Sequence, residues 1–576
     1  MRKKITMAML TTCILALSGC SGQSQGTPTQ PASAVESEAT AEDSSAADSD
    51  AADSDAAADS EADSAKDAAA DSTHKNTKAG NKATLKAKDE CGTGDKYECV
   101  EDEAHAIYVD GETATYDNVS VDKTGDADGD KADFYGTNAA VYAENGADLT
   151  ITNSYIHSNG AHANAVFSYG EDTKVNISDS YIETESNNSG GIMVTGGGTL
   201  NAENLVVDTK GGSSAAIRSD RGGGTMTVTG GEYKSYGSGS PAIYSTADIT
   251  VNDADLYSDI SQAVVVEGKN SVTLNNVKAV GKNTKKNSDK SDRYQAVMIY
   301  QSMSGDASEG KGVFTMNGGS LESMNEGMFY VTNTVAEINL DNVDLIQATD
   351  DLLRIEKAGW GNDGSNGGQV TVNANNQTLK GVITVDSISN LNLIMTGSST
   401  FEGSIDNSGE VYVELDDNAV WTLTADTAIT SLTCDADAID LNGYKLMVDG
   451  TEYKEGNASE GKAIEIKATE NGGNHHEMNG EKPDGDHGHG DSEHGGRPEM
   501  NGKKPDGEHG SGKPGDRPEM NGKSDSDSDS KSGNRPEMSG KHGDKPDGKP
   551  GEKPDKKPDS DSTDSTDSTD ETSGKI

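Results

Sequence analysis

A small residue followed by a large apolar one recurs along the middle of the chain. Ala140-Val141-Tyr142, Ala165-Val166-Phe167, Gly191-Ile192-Met193, Ala216-Ile217-Arg218 and Ala242-Ile243-Tyr244 are spaced 25, 26, 25 and 26 residues apart. An earlier copy stands at Ala106-Ile107-Tyr108. Later ones stand at Ala263-Val264-Val265, Ala296-Val297-Met298, Met328-Phe329-Tyr330 and Leu352-Leu353-Arg354. Most copies hold a second short segment, such as Leu149-Thr150-Ile151 or Val175-Asn176-Ile177. A third follows an Asn, Asp or Gly turn, such as Tyr155-Ile156 or Tyr181-Ile182. Three short β segments per repeat, punctuated by turn residues, predict the coils of an all-β, single-stranded, right-handed parallel β-helix.

One such coil cannot stand alone. Ordering ~25 residues costs ~1–2 kcal/mol each, while about six inward side chains return only ~1.5–3 kcal/mol apiece. Each coil therefore needs neighbours for ladder hydrogen bonds and stacking, and the ends need protection. Asp89 to Glu103 is the expected N-terminal cap, and the less regular coils from Asn373 to about Gly450 are expected to close the other end.

Strand side chains alternate between faces. With Ile107, Val141, Val166 and their equivalents through Leu353 pointing inward, the following residues form an outward column. It reads Tyr108, Tyr142, Phe167, Met193, Arg218, Tyr244, Val265, Met298, Tyr330, Arg354. Two positions further on lie Asp110, Glu144, Tyr169, Thr195, Asp220, Thr246, Glu267, Tyr300, Thr332 and Glu356. Stacked ~4.8 Å apart, these side chains predict a stripe of large groups with carboxylates and hydroxyls alongside. Aromatic faces beside polar groups suit sugar rings, and an exposed stripe of this kind marks a contact surface. A purely structural ladder is the other reading. The candidate ligand-binding residues are Tyr108, Tyr142, Phe167, Tyr169, Arg218, Asp220, Tyr244, Glu267, Tyr300, Tyr330, Arg354 and Trp360. Insertions at Gln301–Gly312 and Lys357–Gly368, the latter carrying Trp360, are expected to wall one edge of the stripe. The basic Gly281–Tyr294 segment would flank the other, a setting suited to an acidic polysaccharide.

Asp220 and Glu267 share one outward column two coils apart, which puts their backbones ~9–10 Å from each other. That overlaps the range for inverting glycosidases, ~6.5–9.5 Å, but no lyase or hydrolase motif accompanies the pair. The expectation is therefore a non-catalytic, polysaccharide-binding protein, with a polysaccharide lyase or hydrolase as the alternative and a structural surface adhesin contacting protein as a second. Asp126, Asp128, Asp130 and Asp133 cluster in an inserted loop that suits a hard cation such as calcium. Its start is similar to an EF-hand loop, but Lys131 and Thr137 replace the glycine and glutamate such a loop needs. A solvated acidic turn is the competing reading.

Composition narrows the class. The 576 residues carry 48 Lys plus Arg against 99 Asp plus Glu, a formal charge of −51. Such a field argues against nucleic acid, which needs cations to neutralise phosphate. Hydrophobic residues are 31% and aromatics 4%, too few for one compact globule of this length. Low-complexity flanks account for part of this. Residues 20–90 are largely Ala, Ser and Asp, an expected disordered acidic tether. Residues 471–576 are a Gly-, Pro-, Asp-, Lys- and His-rich tail with near-repeats at Arg497, Arg517 and Arg535. Its histidines offer only non-specific metal contacts. The β-helix is assigned to residues 91–470.

At the N-terminus, Arg2-Lys3-Lys4 precedes an apolar run from Ile5 that ends in Leu17-Ser18-Gly19-Cys20. This reads as an export signal over residues 1–19. Leu17-Ser18-Gly19-Cys20 resembles the lipobox of bacterial lipoproteins. The resemblance implies cleavage before Cys20, its lipidation (palmitate included), and display on the extracytoplasmic side of a bacterial membrane, at the cell surface. Cys91 and Cys99 sit close together near the start of the β-helix, and an oxidised staple or two free thiols are both open there. Cys434 reads as a small core residue.

The coils resemble the pectate-lyase-like superfamily in architecture, and more closely the adhesin-like and carbohydrate-binding β-helix lipoproteins of clostridial bacteria. The stretches carrying the resemblance are Gly211 to Arg221, Gly239 to Thr246, Val266 to Val272 and Val297 to Asp306. It covers about Ala104 to Gly450. It implies a surface lipoprotein that binds polysaccharide or another host or cell-surface ligand, and it brings no catalytic motif to transfer.

Overall fold

The computed structural model describes residues 84–467 apart from Asn287 and Asp417. The signal segment, Cys20 and its expected lipid, most of the tether, and the histidine-rich tail lie outside the described residues. Among the described residues no helix is long and apolar enough to cross a membrane.

Three long sheets make a parallel β-helix: through Gln347 each coil contributes one strand to each in turn, and of the three the later coils feed only the stripe and middle sheets. The stripe sheet has fourteen strands, from Ile107–Asp110 to Ile439–Asp440. The middle sheet has thirteen, from Thr113–Asp117 to Ser431–Cys434. The flank sheet has ten, from Lys96–Cys99 to Asp344–Gln347. Thirteen intervals of ~4.8 Å make a rod about 60 Å long.

The repeat aligned by sequence is the register of the stripe sheet. Ile107 pairs with Val141, Val141 with Val166, and so on through Ile192, Ile217, Ile243, Val264, Val297, Phe329 and Leu353. All ten are buried. In eight of the ten coils the residue before this position is Ala or Gly, which lets the chain turn the corner while packed against its neighbours. At Gly191 even a Cβ would lie 2.6 Å from the Ala216 carbonyl oxygen. Between the middle and flank sheets each turn places a residue in the left-handed region: Asn118, Asn153, Asp179, Asn204, Asp253 and Asn276 have φ between 47° and 58°. Asn and Asp tolerate this conformation, and their side chains ladder: Asn276 Nδ2 donates to Asp253 Oδ1 at 2.6 Å. At the flank-to-stripe corner the backbone N–H groups of Ser189 and Ser214 donate to the hydroxyls of Ser214 and Ser240, at 2.9 and 2.8 Å. At this corner the buried serines are satisfied coil to coil.

The ends are closed differently from the middle. The expected N-terminal cap supplies a 3-10 turn, Lys88–Glu90, and the first flank strand. Lys123, wholly buried behind it, donates to the carbonyls of Glu101 and Gly125 at 2.9 and 2.6 Å. At the other end the closure runs past Gly450. Leu446–Val448 pairs antiparallel with Thr451–Glu452, and Asn392 exchanges hydrogen bonds with the Ile464 backbone. These returns cover edges that would otherwise invite another strand.

The two cysteines near the start do not form a staple. Cys91 and Cys99 are free and buried, with Cys91 Sγ 3.7 Å from the Asp179 carbonyl and Cys99 Sγ 3.7 Å from that of Glu101. Cys99 ends a strand with its side chain inward, in register with Lys123, so each thiol fills its own core position. Cys434 is also a buried core thiol.

Candidate functional site: a roofed stripe

The outward column is in register as expected, from Tyr108 paired with Tyr142 to Tyr330 paired with Arg354. Its exposure is not as expected. Tyr142, Phe167 and Met193 are fully buried, and Tyr330 is 2% exposed. Only Tyr108 is openly exposed; Tyr244 and Arg354 are half-buried. In the neighbouring column Tyr169, Asp220 and Glu267 are buried, while Tyr300 is half-buried.

Two sets of insertions roof the stripe instead of walling it. The first is the acidic loop. Gly129–Tyr135 is a short helix that lays Phe134 and Tyr135 over Tyr142, Phe167, Tyr169 and Met193. Tyr142 stacks on His105 at 4.6 Å and meets Phe167 edge-on at 5.8 Å. Gly136 ends the helix in the left-handed conformation, and a Cβ there would lie 2.7 Å from the Tyr142 ring. The second roof lies over Val265, Met298 and Tyr330. Trp360 packs there with Ala358, edge-on to Tyr300 at 5.1 Å. Segments from opposite edges meet above it: Gly359 N–H donates to the Lys290 carbonyl at 2.8 Å, and Arg293 Nε donates to Glu356 at 2.6 Å.

Three of the four aspartates proposed as calcium ligands are engaged elsewhere. Asp126 accepts from the Ala161 backbone at 2.8 Å, and Asp128 occupies the helix N-cap position without a side-chain capping bond. Asp130 pairs with Arg221 at 2.9 Å and Asp133 with His162 at 2.8 Å. Helix formation points these carboxylates in different directions. Among the described residues no group of three or more acidic, His or Cys side chains is placed to hold a metal ion.

Between the two roofs a polar network crosses the stripe. Arg221 binds Asp306 at 2.8 Å as well as Asp130, and its guanidinium lies 3.9 Å above the Phe134 ring. It thus ties the helix to the 301–310 loop. From Asp306 the chain of contacts runs to Ser304 at 2.7 Å, Ser302 at 2.6 Å, and then Glu267. Glu267 also accepts from Tyr244 Oη at 2.5 Å. Asp220 accepts from Arg218 Nη2 at 3.2 Å and from the Arg221 backbone at 3.1 Å. Burial pushes the Asp220 carboxyl up to about 8 against the opposing pull of Arg218. Burial raises Glu267 as well, against hydrogen bonds from Ser302 and Tyr244 that favour its charge. Asp306 lies within electrostatic range of both and raises them further.

The sequence therefore brought Asp220, Arg218, Tyr244, Glu267 and Tyr300 to one place, but it missed Arg221, Ser302, Ser304 and Asp306, which knit them. Two signals were present: charge density at Arg218-Ser219-Asp220-Arg221, and the Gln301–Gly312 insertion that holds the other three residues. Arg354 pairs with Asp351 and lies 4.0 Å from Glu356 under the second roof. Comparison with family models, with curated proteins and with solved structures finds no match.

Proposed function

We propose that this chain is a non-catalytic, adhesin-like surface lipoprotein whose β-helix binds polysaccharide. The observation that carries the reading is how the network divides its groups. The side chains able to transfer protons, Asp220 and Glu267, are sealed at 3% and 0% exposure, whereas rings such as Tyr108, Tyr244 and Tyr300 reach solvent. A general acid or base must come within hydrogen-bond reach of its substrate; a ring needs only a face. The Leu17-Ser18-Gly19-Cys20 pattern supports lipid anchoring at Cys20, and the coil resemblance to clostridial surface lipoproteins supports the binding role.

The test is a glycan array and pull-down with the intact chain. Polysaccharide retention without release of unsaturated or reducing sugar is the expected result. Sugar release, lost in Asp220→Asn or Glu267→Gln variants that keep their circular dichroism, would turn the reading to the lyase or hydrolase alternative. The upward shift of the Asp220 carboxyl by burial favours that alternative, since a general acid must hold its proton near neutral pH.

A further inference from the structure

The flank sheet carries a second set of rings, of which the N-terminal Lys88–Gly92 segment covers only part of Tyr155. Tyr155 and Tyr181 are register partners on its outer side, with ring centroids 6.3 Å apart. His157 stacks on Tyr155 at 6.2 Å, with the two planes within 10° of each other. Two coils further along, Tyr236 is 39% exposed and lies 6.3 Å from Tyr257. Tyr155, His157, Tyr181 and Tyr257 are all half-buried, with edges and faces at the surface. From the Tyr155 strand to the Tyr257 strand there are four intervals of ~4.8 Å, an array about 19 Å long.

These rings are held in place. Tyr155 Oη donates to Glu183 at 3.1 Å, Tyr181 Oη to Asp208 at 2.6 Å and Tyr257 Oη to Asp259 at 2.7 Å. Lys88 lies over the Tyr155 ring, 4.8 Å from its centroid. A ring fixed before its ligand arrives loses little entropy on binding. The charges on this face are also matched. Glu183 is shared by Lys88 and Lys210, Glu232 pairs with Lys234 and Asp259 with Lys282, while Asp122 hydrogen-bonds to the His157 ring. Asp208 takes the Tyr181 hydroxyl and Glu185 lies 3.4 Å from Lys210, so these carboxylates are engaged and lysine is not in surplus on this face. An anionic polymer finds no surplus of cations there, and a polycation finds its carboxylates already occupied. A neutral polyhydroxylated polymer fits: its C–H faces lie on the rings, and its hydroxyls meet carboxylate and ammonium edges.

We infer that the flank sheet, through Tyr155, Tyr181, Tyr236 and Tyr257, is the surface that binds a neutral polysaccharide. The inference rests on the polysaccharide-binding reading above and moves its contact surface from the roofed stripe to the open flank.

The test uses the full chain in affinity electrophoresis through gels containing soluble β-glucan, soluble α-glucan, or polygalacturonate as the charged comparison. Retardation by a neutral glucan that persists in high salt is expected. Tyr236→Ser should weaken it several-fold, and Tyr181→Ser combined with Tyr236→Ser and Tyr257→Ser by tenfold or more, while Tyr444→Ser, at an exposed ring outside both the stripe and the flank, leaves it unchanged. Circular dichroism confirms that each variant is folded, and the single Tyr236→Ser change stands alone if the triple variant is not. Neutral-glucan retardation unchanged in Tyr236→Ser and in any folded triple variant overturns the flank assignment but leaves polysaccharide binding intact. Retardation by polygalacturonate alone, abolished by salt, overturns the neutral-ligand assignment. No retardation of the parent chain by any of the three overturns both this assignment and the reading on which it rests.

Discussion

Truncating Phe167 to alanine separates a roofed stripe from an open one. Phe167 is fully buried on the outward side of its strand, beneath the Gly129–Tyr135 helix. Its ring meets Tyr142 edge-on, and Gly136 lies so close that a Cβ there would come within 3.0 Å of it. Such a site has little slack for collapse, so the variant should lose ~3–5 kcal/mol, the usual cost of Phe→Ala in a closed core. On an open β surface, losing an aromatic neighbour contact costs only ~0.2–1 kcal/mol. Urea unfolding followed by circular dichroism gives the difference, with Tyr108→Ala as the half-exposed comparison from the same column. The helix amides should also exchange faster in Phe167→Ala, because their apolar anchor is weakened. A loss below about 1 kcal/mol with helix exchange unchanged would show that the helix does not rest on this ring.

Replacing Gly136 with alanine forces a side chain into the left-handed region and against Tyr142; a loss of ~1–3 kcal/mol in urea unfolding is expected, and a neutral result would contradict the packing of the helix C-terminus. Arg221→Met should raise protease cleavage within 124–140 and 301–310 together, since one guanidinium ties both segments; cleavage in neither would refute the tie. Asp220 prefers its protonated form in the fold, so its contribution is complete below the unfolded carboxylate range and is lost as pH rises toward about 8. His162, raised chiefly by its hydrogen bond to Asp133, has the same sign: its contribution holds below the ordinary histidine range and is lost as pH rises through the raised value. Relative to the parent chain, Asp220→Asn should therefore gain stability between pH 5 and about 8, and a flat difference in thermal unfolding would contradict the burial. With the first twenty residues removed, the chain should take three alkyl groups when denatured without reductant, at Cys91, Cys99 and Cys434; a single adduct would mean a disulfide.

The scaffold was legible because a solenoid writes its register directly into the sequence. The inward column from Ile107 to Leu353 pairs residue for residue, since each coil must repeat the same corner and the same core position. The roof was not legible, because its segments occur once and have no period to betray them. Phe134-Tyr135 inside an acidic loop was the available signal: two adjacent aromatics in a polar insertion need an apolar surface to land on, and the stripe was the nearest. Trp360 gave the same hint and was read as a wall. The carboxylates at 126–133 looked like cation ligands because spacing cannot show which way a short helix will aim them. On the flank, Tyr155, Tyr181 and Tyr257 marked strands, and their shared outer face emerged only once the three sheets were separated.

Hydroxyl-radical footprinting of the intact chain, read residue by residue by mass spectrometry with and without a neutral glucan, tests the central claim most directly. The roofed stripe predicts strong labelling of Tyr108 and Tyr236, with Tyr142, Phe167 and Tyr330 silent. Glucan should then protect Tyr155, Tyr181, Tyr236 and Tyr257 while leaving the exposed Tyr444 unchanged. Labelling of Tyr142 and Tyr330 at the level of Tyr108, with glucan protection along that column, would contradict it.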